Sequence, residues 1–243
     1  MPVDLPPGRA LVIGNSAGIG LALTRRLLAD GMTVLGVSRR TAPIDSPTYR
    51  HLVIDVSAAD YRGRLGAFLD EPTPSPLALC VYAAGIGELF DSADLAAEAQ
   101  VFRVNLLGAV ETIAVVVPRL GASGQGHFIG LSSLGDVLRS GQAPSYAASK
   151  AGLSAYLINL GMALAPRGIA ITNLRFGFVD TKMAKAPQRP FMISVDRAVD
   201  VIYEVMRTRP LQRSHPWRMA ALVRLLAWLG APRVWFTRAR PRG

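Results

Sequence analysis

Short, largely apolar runs alternate along the chain with longer stretches in which apolar residues recur every three to four positions. The runs 10–13, 32–37, 51–54, 77–82, 127–131 and 168–174 are of the first kind, each the length of a strand buried on both faces. Between and after them, 21–31, 58–69, 94–117, 145–164 and 195–206 read as helices, the first closed by Gly31. The stretches 41–48 and 72–76, with two and three prolines, read as loops. Regular alternation of strand and helix predicts an α/β fold, a doubly wound Rossmann-type parallel sheet flanked by helices in a single domain. The expected catalytic domain is 1–206, followed by a basic, apolar extension at 207–243.

Chemistry concentrates after the fifth apolar run, in Ser132-Ser133-Leu134-Gly135 and Ser145-Tyr146-Ala147-Ala148-Ser149-Lys150. On a helix, Tyr146 and Lys150 lie on one face, one turn apart. A free tyrosine titrates near about 10, too high for acid/base work at neutral pH, and a neighbouring ammonium favours the phenolate. The pair thus reads as a tuned acid/base catalyst. Ser133 falls at the C-terminal end of a strand, where open α/β sheets bind ligands. Tyr-x-x-x-Lys by itself is ordinary, since most such pairs are helix-surface neighbours.

A second signal lies near the N-terminus, where Gly14-Asn15-Ser16-Ala17-Gly18-Ile19-Gly20 joins the first strand to the first helix. Glycines let backbone approach a pyrophosphate, and the helix N-terminus offers N–H groups to the anion. The plain alternative is a tight strand–helix connection. With these residues together, the chain resembles the short-chain dehydrogenase/reductase family over about 9–206. The glycine spacing is the family's, although Ile13 stands where threonine is common.

The resemblance implies a nicotinamide-dependent oxidoreductase acting on a carbonyl or alcohol. Ser133 would orient the substrate oxygen, Tyr146 would exchange the proton, Lys150 would tune Tyr146 and bind the nicotinamide ribose, and Asn105 would hold a water relay. Gly14, Asn15, Ser16, Gly18, Ile19 and Gly20 would cradle phosphate, with Asp55 and Val56 at the adenine. Asp55 also suits a helix cap. Ala83, Ala84 and Gly85 would lie against the cofactor, Ala83 replacing the usual asparagine. Val179 and Thr181 would meet the carboxamide and phosphates, after Phe176 in place of a usual proline. Ser38, Arg39 and Arg40 follow the second strand where an acid would select NAD, so NADP(H) is favoured over NAD(H), against the plain reading of a solvated basic turn. The 182–194 segment reads as a lid, with Met183, Phe191, Met192 and Ile193 either lining an apolar pocket or simply packing. The family's usual faces, the Asn105 and Tyr146 helices, imply a homodimer or homotetramer. No metal is expected.

Composition adds limits. Half of the 243 residues are apolar, enough for a large core. The first seven residues carry no signal-peptide pattern, no run reaches the roughly 18 apolar residues of a spanning helix, and Cys80 is a lone core thiol, so a cytoplasmic location is expected. The net charge of +10 lies in the tail: 207–243 holds nine Arg, no Lys and no acid. No glycine-rich final strand is visible there. Instead, 216–229 is an apolar helix candidate flanked by Trp and Arg, with Arg233, Trp235, Phe236, Arg238, Arg240 and Arg242 beyond it. It suits packing over the pocket or a subunit interface first, peripheral contact of 216–242 with the inner face of a membrane second, and nucleic acid last, so no nucleic acid is expected. The primary reading is an NADP(H)-dependent reductase of a lipophilic carbonyl. The alternatives are a non-catalytic, membrane-associated dinucleotide binder and an isomerase or dehydratase on the same scaffold.

Overall fold

Seven strands pair in parallel in the order β3-β2-β1-β4-β5-β6-β7. They are β1 Arg9–Ile13, β2 Thr33–Ser38, β3 Tyr49–Val53, β4 Leu77–Tyr82, β5 His127–Ser133, β6 Ala170–Phe176 and β7 Gln212–His215. The computed structural model describes residues 8–71, 75–121, 126–139, 141–183 and 189–236. From β1 the chain winds outward through β2 and β3, then returns to β4 on the other side and winds the opposite way. The crevice at the C-terminal ends of β1 and β4 is therefore the switch point of a doubly wound sheet.

Alternate residues of each central strand feed the two faces. Leu11, Ile13, Leu35 and Val37 join one core layer, with Tyr61 and Leu65 of α2 (Tyr61–Asp70), Ile113 and Val116 of α4 (Gly108–Gly121), and Leu153 and Leu157 of α5 (Pro144–Leu164). Ala10, Val12 and Val34 join the other, with Leu23 and Leu27 of α1 (Gly18–Ala29) and Val201 and Ile202 of α6 (Val195–Thr208).

The long helix expected over 94–117 is interrupted. It consists of α3 (Leu95–Phe102), a π-turn (Arg103–Leu107) and α4. The wide turn has identifiable causes. The buried Asn105 amide bonds Ile86 rather than its own helix, and the Tyr82 hydroxyl donates to the Val104 carbonyl at 2.6 Å. A Cβ at Gly108 would lie 2.6 Å from the Tyr82 oxygen and 2.8 Å from Val56, so only glycine lets the helix come this close to β4. α2 begins at Tyr61, three residues later than expected, because Asp55 forms a tight turn instead of capping that helix: its Oδ1 accepts from the Ser57 N–H at 2.8 Å and the Ser57 hydroxyl at 2.7 Å.

A final strand exists where none was expected. Gln212–His215 is polar because it is an edge strand, paired only with β6, and needs no second apolar face. The sheet thus continues beyond Met206. Then α7 (Trp217–Phe236) lays Met219, Ala220 and Val223 against Leu134, Val137, Leu138 and Phe178.

Among the described residues, one ion pair is buried on both sides. Arg175 in β6 meets Asp136 in the 3₁₀ turn Leu134–Val137 that follows β5. Asp136 also accepts from the Ser154 hydroxyl at 2.6 Å, and Arg175 donates to the Ser214 hydroxyl at 3.2 Å, tying β5, β6, β7 and α5 together. Arg175→Leu should cost about 3–5 kcal/mol in equilibrium urea unfolding, because it strands a buried carboxylate. Asp136→Leu/Arg175→Leu together should cost less than Arg175→Leu alone.

Candidate active site

Ser133 ends β5, and Tyr146 and Lys150 occupy the first turns of α5, which Pro144 opens. The fold brings all four expected catalytic residues together. Ser133 lies close enough to the Tyr146 hydroxyl to pull its pKa down, and its own oxygen accepts from the Gly135 N–H at 3.0 Å. The Lys150 Nζ lies 6.0 Å from the centre of the Tyr146 ring and donates to the Leu131 carbonyl at 3.0 Å. Asn105 accepts from the Ile86 N–H at 2.8 Å and donates to the Ile86 carbonyl at 2.9 Å and to Ser149 at 3.1 Å. A Cβ at Gly85 would sit 3.4 Å from Asn105 Oδ1 and 3.5 Å from Lys150 Nζ, so both polar groups converge on bare backbone.

The electrostatics differ from the simple expectation that the amine acidifies the phenol. Burial pushes Tyr146 up, the Ser133 hydroxyl pulls it down and Asp136 pushes it up again. Burial lowers Lys150 to about 8. The cost of holding a charge out of water dominates both groups. At neutral pH the phenol therefore keeps its proton and stands ready as a donor.

The glycine turn meets the requirement for a phosphate cradle. Gly14 has φ 87°, and a Cβ there would lie 2.6 Å from the Ala84 backbone nitrogen. A Cβ at Gly20 would lie 2.3 Å from the Gly14 carbonyl. Neither position accepts a side chain, and no side chain caps the N-terminus of α1. Thr181 stands over this end, its Cγ2 3.3 Å from where a Cβ on Gly18 would be. Ala83 donates its backbone N–H to the Ile13 carbonyl at 2.8 Å. These features fit a dinucleotide pyrophosphate.

At the far end of the crevice the structure shows a polar chain that the sequence did not reveal. The Ser38 hydroxyl donates to the Arg40 carbonyl at 2.7 Å, which uses its one hydrogen. His51 Nε2, 3.2 Å from that oxygen, must therefore donate, leaving Nδ1 to accept from the Tyr49 hydroxyl. Asn15 Nδ2 in turn donates to Tyr49 at 2.7 Å. The directions agree only for neutral His51, and burial lowers its pKa. The chain fastens the glycine turn to the Ser38-Arg39-Arg40 corner. Arg39 reaches Asp55 at 3.9 Å, and both arginines are exposed. His51 lies on the edge strand β3 and is held there by Ser38 and Tyr49.

The substrate side is partly described. Met183 lies beside Tyr146, both within 3.8 Å of the position a Cβ on Gly87 would take. Phe191 and Met192 are exposed rather than packed, and Phe191 holds a φ of 56°. Val179 bridges to Ile193. Residues 184–188 of the expected lid lie outside the described residues. Phe176 is buried in the core layer shared with α1 and α6.

A family model for short chain dehydrogenase matches residues 9–190. An uncharacterized oxidoreductase of Myxococcus xanthus is 28% identical over 236 residues, 92% of this chain and 93% of its own. The L-tagatose-forming galactitol 2-dehydrogenase of Cereibacter sphaeroides is 30% identical over 193 residues, 74% and 75% of the two chains. A short chain dehydrogenase from Burkholderia cenocepacia in complex with NADP matches with a TM-score of 0.80 at 21% identity, over 95% of this chain and 94% of that one. Another, from Leptospira borgpetersenii with bound NAD+, has a TM-score of 0.75 at 18% identity, over 86% and 91%. At such identities the structural likenesses speak for the fold.

The lowered Lys150 pKa has a measurable consequence for stability. Below pH 8 the folded state carries a buried charge that the unfolded chain solvates. From about pH 8 to about 10.5 the folded amine is neutral while the unfolded one still holds its proton, so stability from this group rises with pH. Lys150→Met should thus stabilise the ligand-free protein at pH 7, by up to about 3 kcal/mol. Paired urea titrations should show that advantage shrinking at pH 9.5.

Proposed function

The chain belongs to the short-chain dehydrogenase family, and on that premise we propose that it is an NADP(H)-dependent reductase of a lipophilic carbonyl. That it is an oxidoreductase acting on CH–OH or C=O groups follows from the family. The observation that supports a working active site is the convergence of Ser133, Tyr146, Lys150 and Asn105 at the C-terminal edge of β5. A pure dinucleotide binder has no use for two hydroxyls set beside a buried amine.

The chain's own part of the chemistry can be derived from that geometry. A carbonyl oxygen placed between the Ser133 and Tyr146 hydroxyls accepts a hydrogen bond from each, which polarises the C=O bond. Tyr146 then passes its proton to that oxygen as the carbon is reduced, leaving a phenolate. The Lys150 ammonium on the same helix face offsets the new charge, and its lowered pKa makes it able to give up a proton in turn. The Asn105 turn would carry the relay from there towards solvent. A bound nicotinamide supplies the hydride, while the protein supplies position and electrostatics. Oxidation runs the same path backwards, Tyr146 taking the alcohol proton.

Three features support the finer reading. Arg39 and Arg40 present two exposed guanidinium groups where a ribose 2′-phosphate would lie, and no acid directly follows β2 there. Met183 beside Tyr146, with Phe191 and Met192 exposed nearby in sequence, suits an apolar substrate. Leu107 at the π-turn and Met162 on α5 are exposed on the helices where a second subunit would sit in a homodimer or homotetramer.

A screen of ketones, aldehydes and acyl-carrier substrates should find NADPH consumption. Tyr146→Phe should lower kcat by about 10²–10⁴-fold and leave NADPH affinity within about twofold. A Tyr146→Phe enzyme as active as its parent would refute the mechanism. Arg39→Glu/Arg40→Glu should move kcat/KM from NADPH towards NADH, and a parent that uses NADH equally well would refute the cofactor assignment. Light scattering at micromolar concentration should give a multiple of 26.0 kDa.

A further inference from the structure

α7 is apolar on both sides, and only one side is covered. Met219, Ala220 and Val223 face the domain. At 100° per residue, Trp217, Leu222, Leu225, Trp228 and Leu229 fall on the opposite half, with exposures from 40% to 73%, and the half-exposed Leu226 lies on the flank between the two faces. Beyond the Arg218 guanidinium, 5.6 Å over the Trp217 ring, they join none of the apolar clusters of the described residues. A contiguous apolar face of this kind marks an interaction surface.

The charge says what that surface meets. Arg218 lies within the outward apolar half and Arg224 beside it, both exposed, and 207–243 contains nine arginines without one acid. A second copy docking helix to helix would bring these arginines together with no carboxylate in the segment to meet them. An anionic bilayer surface satisfies both features at once: phosphate head groups for the guanidinium groups, and the acyl boundary for the leucines, with tryptophans between. Because its other face is occupied by the core, α7 lies along such a surface rather than across it. The run Leu95–Leu120, the one described helix long and apolar enough to span, has half of its apolar window inside the fold.

We propose that α7 is a peripheral membrane-docking helix that seats the enzyme on anionic lipid through its outward face. The position is informative. Its inner face rests on the 3₁₀ turn directly after Ser133, and Met219 packs against Gly177, where a Cβ would come within 2.4 Å of the Met219 sulfur. Docking therefore brings the bilayer to the side of the molecule that carries the catalytic turn. The docking does not depend on the chemistry proposed above, so its test reads binding alone.

The full-length protein is sedimented with phosphatidylcholine vesicles lacking or containing phosphatidylglycerol. The parent should pellet with the anionic vesicles only, and less as salt rises. Leu225→Gln/Trp228→Gln/Leu229→Gln alters only outward residues and should reduce binding at least about tenfold while leaving the circular dichroism melt unchanged. Arg218→Gln/Arg224→Gln should reduce binding by about fivefold per arginine and flatten the salt dependence. A parent that stays in the supernatant with anionic vesicles overturns the proposal, as does a triple variant that binds like the parent. So does self-association of the parent in sedimentation velocity that the triple variant abolishes while vesicles capture neither, which would assign the face to a second copy.

Discussion

The close approach of one helix to one strand sets the rest of the site. α5 lies on β5 so tightly that a Cβ at Gly130 would come within 2.4 Å of Leu157 Cδ1. Leu153 and Leu157 fill the layer beneath, and the Ser132 hydroxyl donates to the Lys150 carbonyl at 3.2 Å and sits 2.8 Å from Ser154 Oγ. That register delivers the amine of Lys150 to the Leu131 carbonyl and the Tyr146 hydroxyl to Ser133. A helix one residue out of phase would turn both side chains about 100° away from the strand end. Dispersion and burial therefore position the proton donor, and hydrogen bonds only refine it.

What was legible in the sequence follows from how local each cause is. β1 and β4 are apolar because both their faces are buried, and an apolar run is visible in one dimension. β7 was invisible because its reason for being a strand is its neighbour β6. Asn105 and Gly108 are poor helix formers, but the π-turn that they serve depends on Tyr82 and Ile86, about twenty residues away. The candidate catalytic residues stand out in the sequence by their spacing, whereas the sign of their pKa shifts does not. Spacing fixes the distance between Tyr146 and Lys150, but burial decides which charge is tolerated. The Asn15–Tyr49–His51–Ser38 chain joins three elements and had no signal in any one of them.

The same site explains where polar groups are tolerated in the interior. Asn105, Ser149, Lys150, Ser132, Ser154 and the Asp136–Arg175 pair are all buried, and each has a partner. Each of these groups fixes its partner's position, although Arg175 Nε is left without a hydrogen bond, so the network constrains the core more tightly than apolar packing would. Lys150 is the exception in energy, though not in geometry. Its charge is held by one carbonyl in a site that favours the neutral amine, a cost that a protein selected for stability alone would shed.

The ion pair carries this constraint outward. Asp136 sits three residues after Ser133, its partner Arg175 also bonds Ser214 of β7, and β7 leads through Pro216 into α7. Leu134, next to Ser133, is buried against Met219 and Val223 of that helix. Whatever holds α7 therefore holds the residue adjoining Ser133, through one apolar contact and one buried salt bridge. A surface that orders α7 would stiffen the Ser133 turn, and loosening of α7 would free it, because the two share a wall rather than a long chain of intermediates.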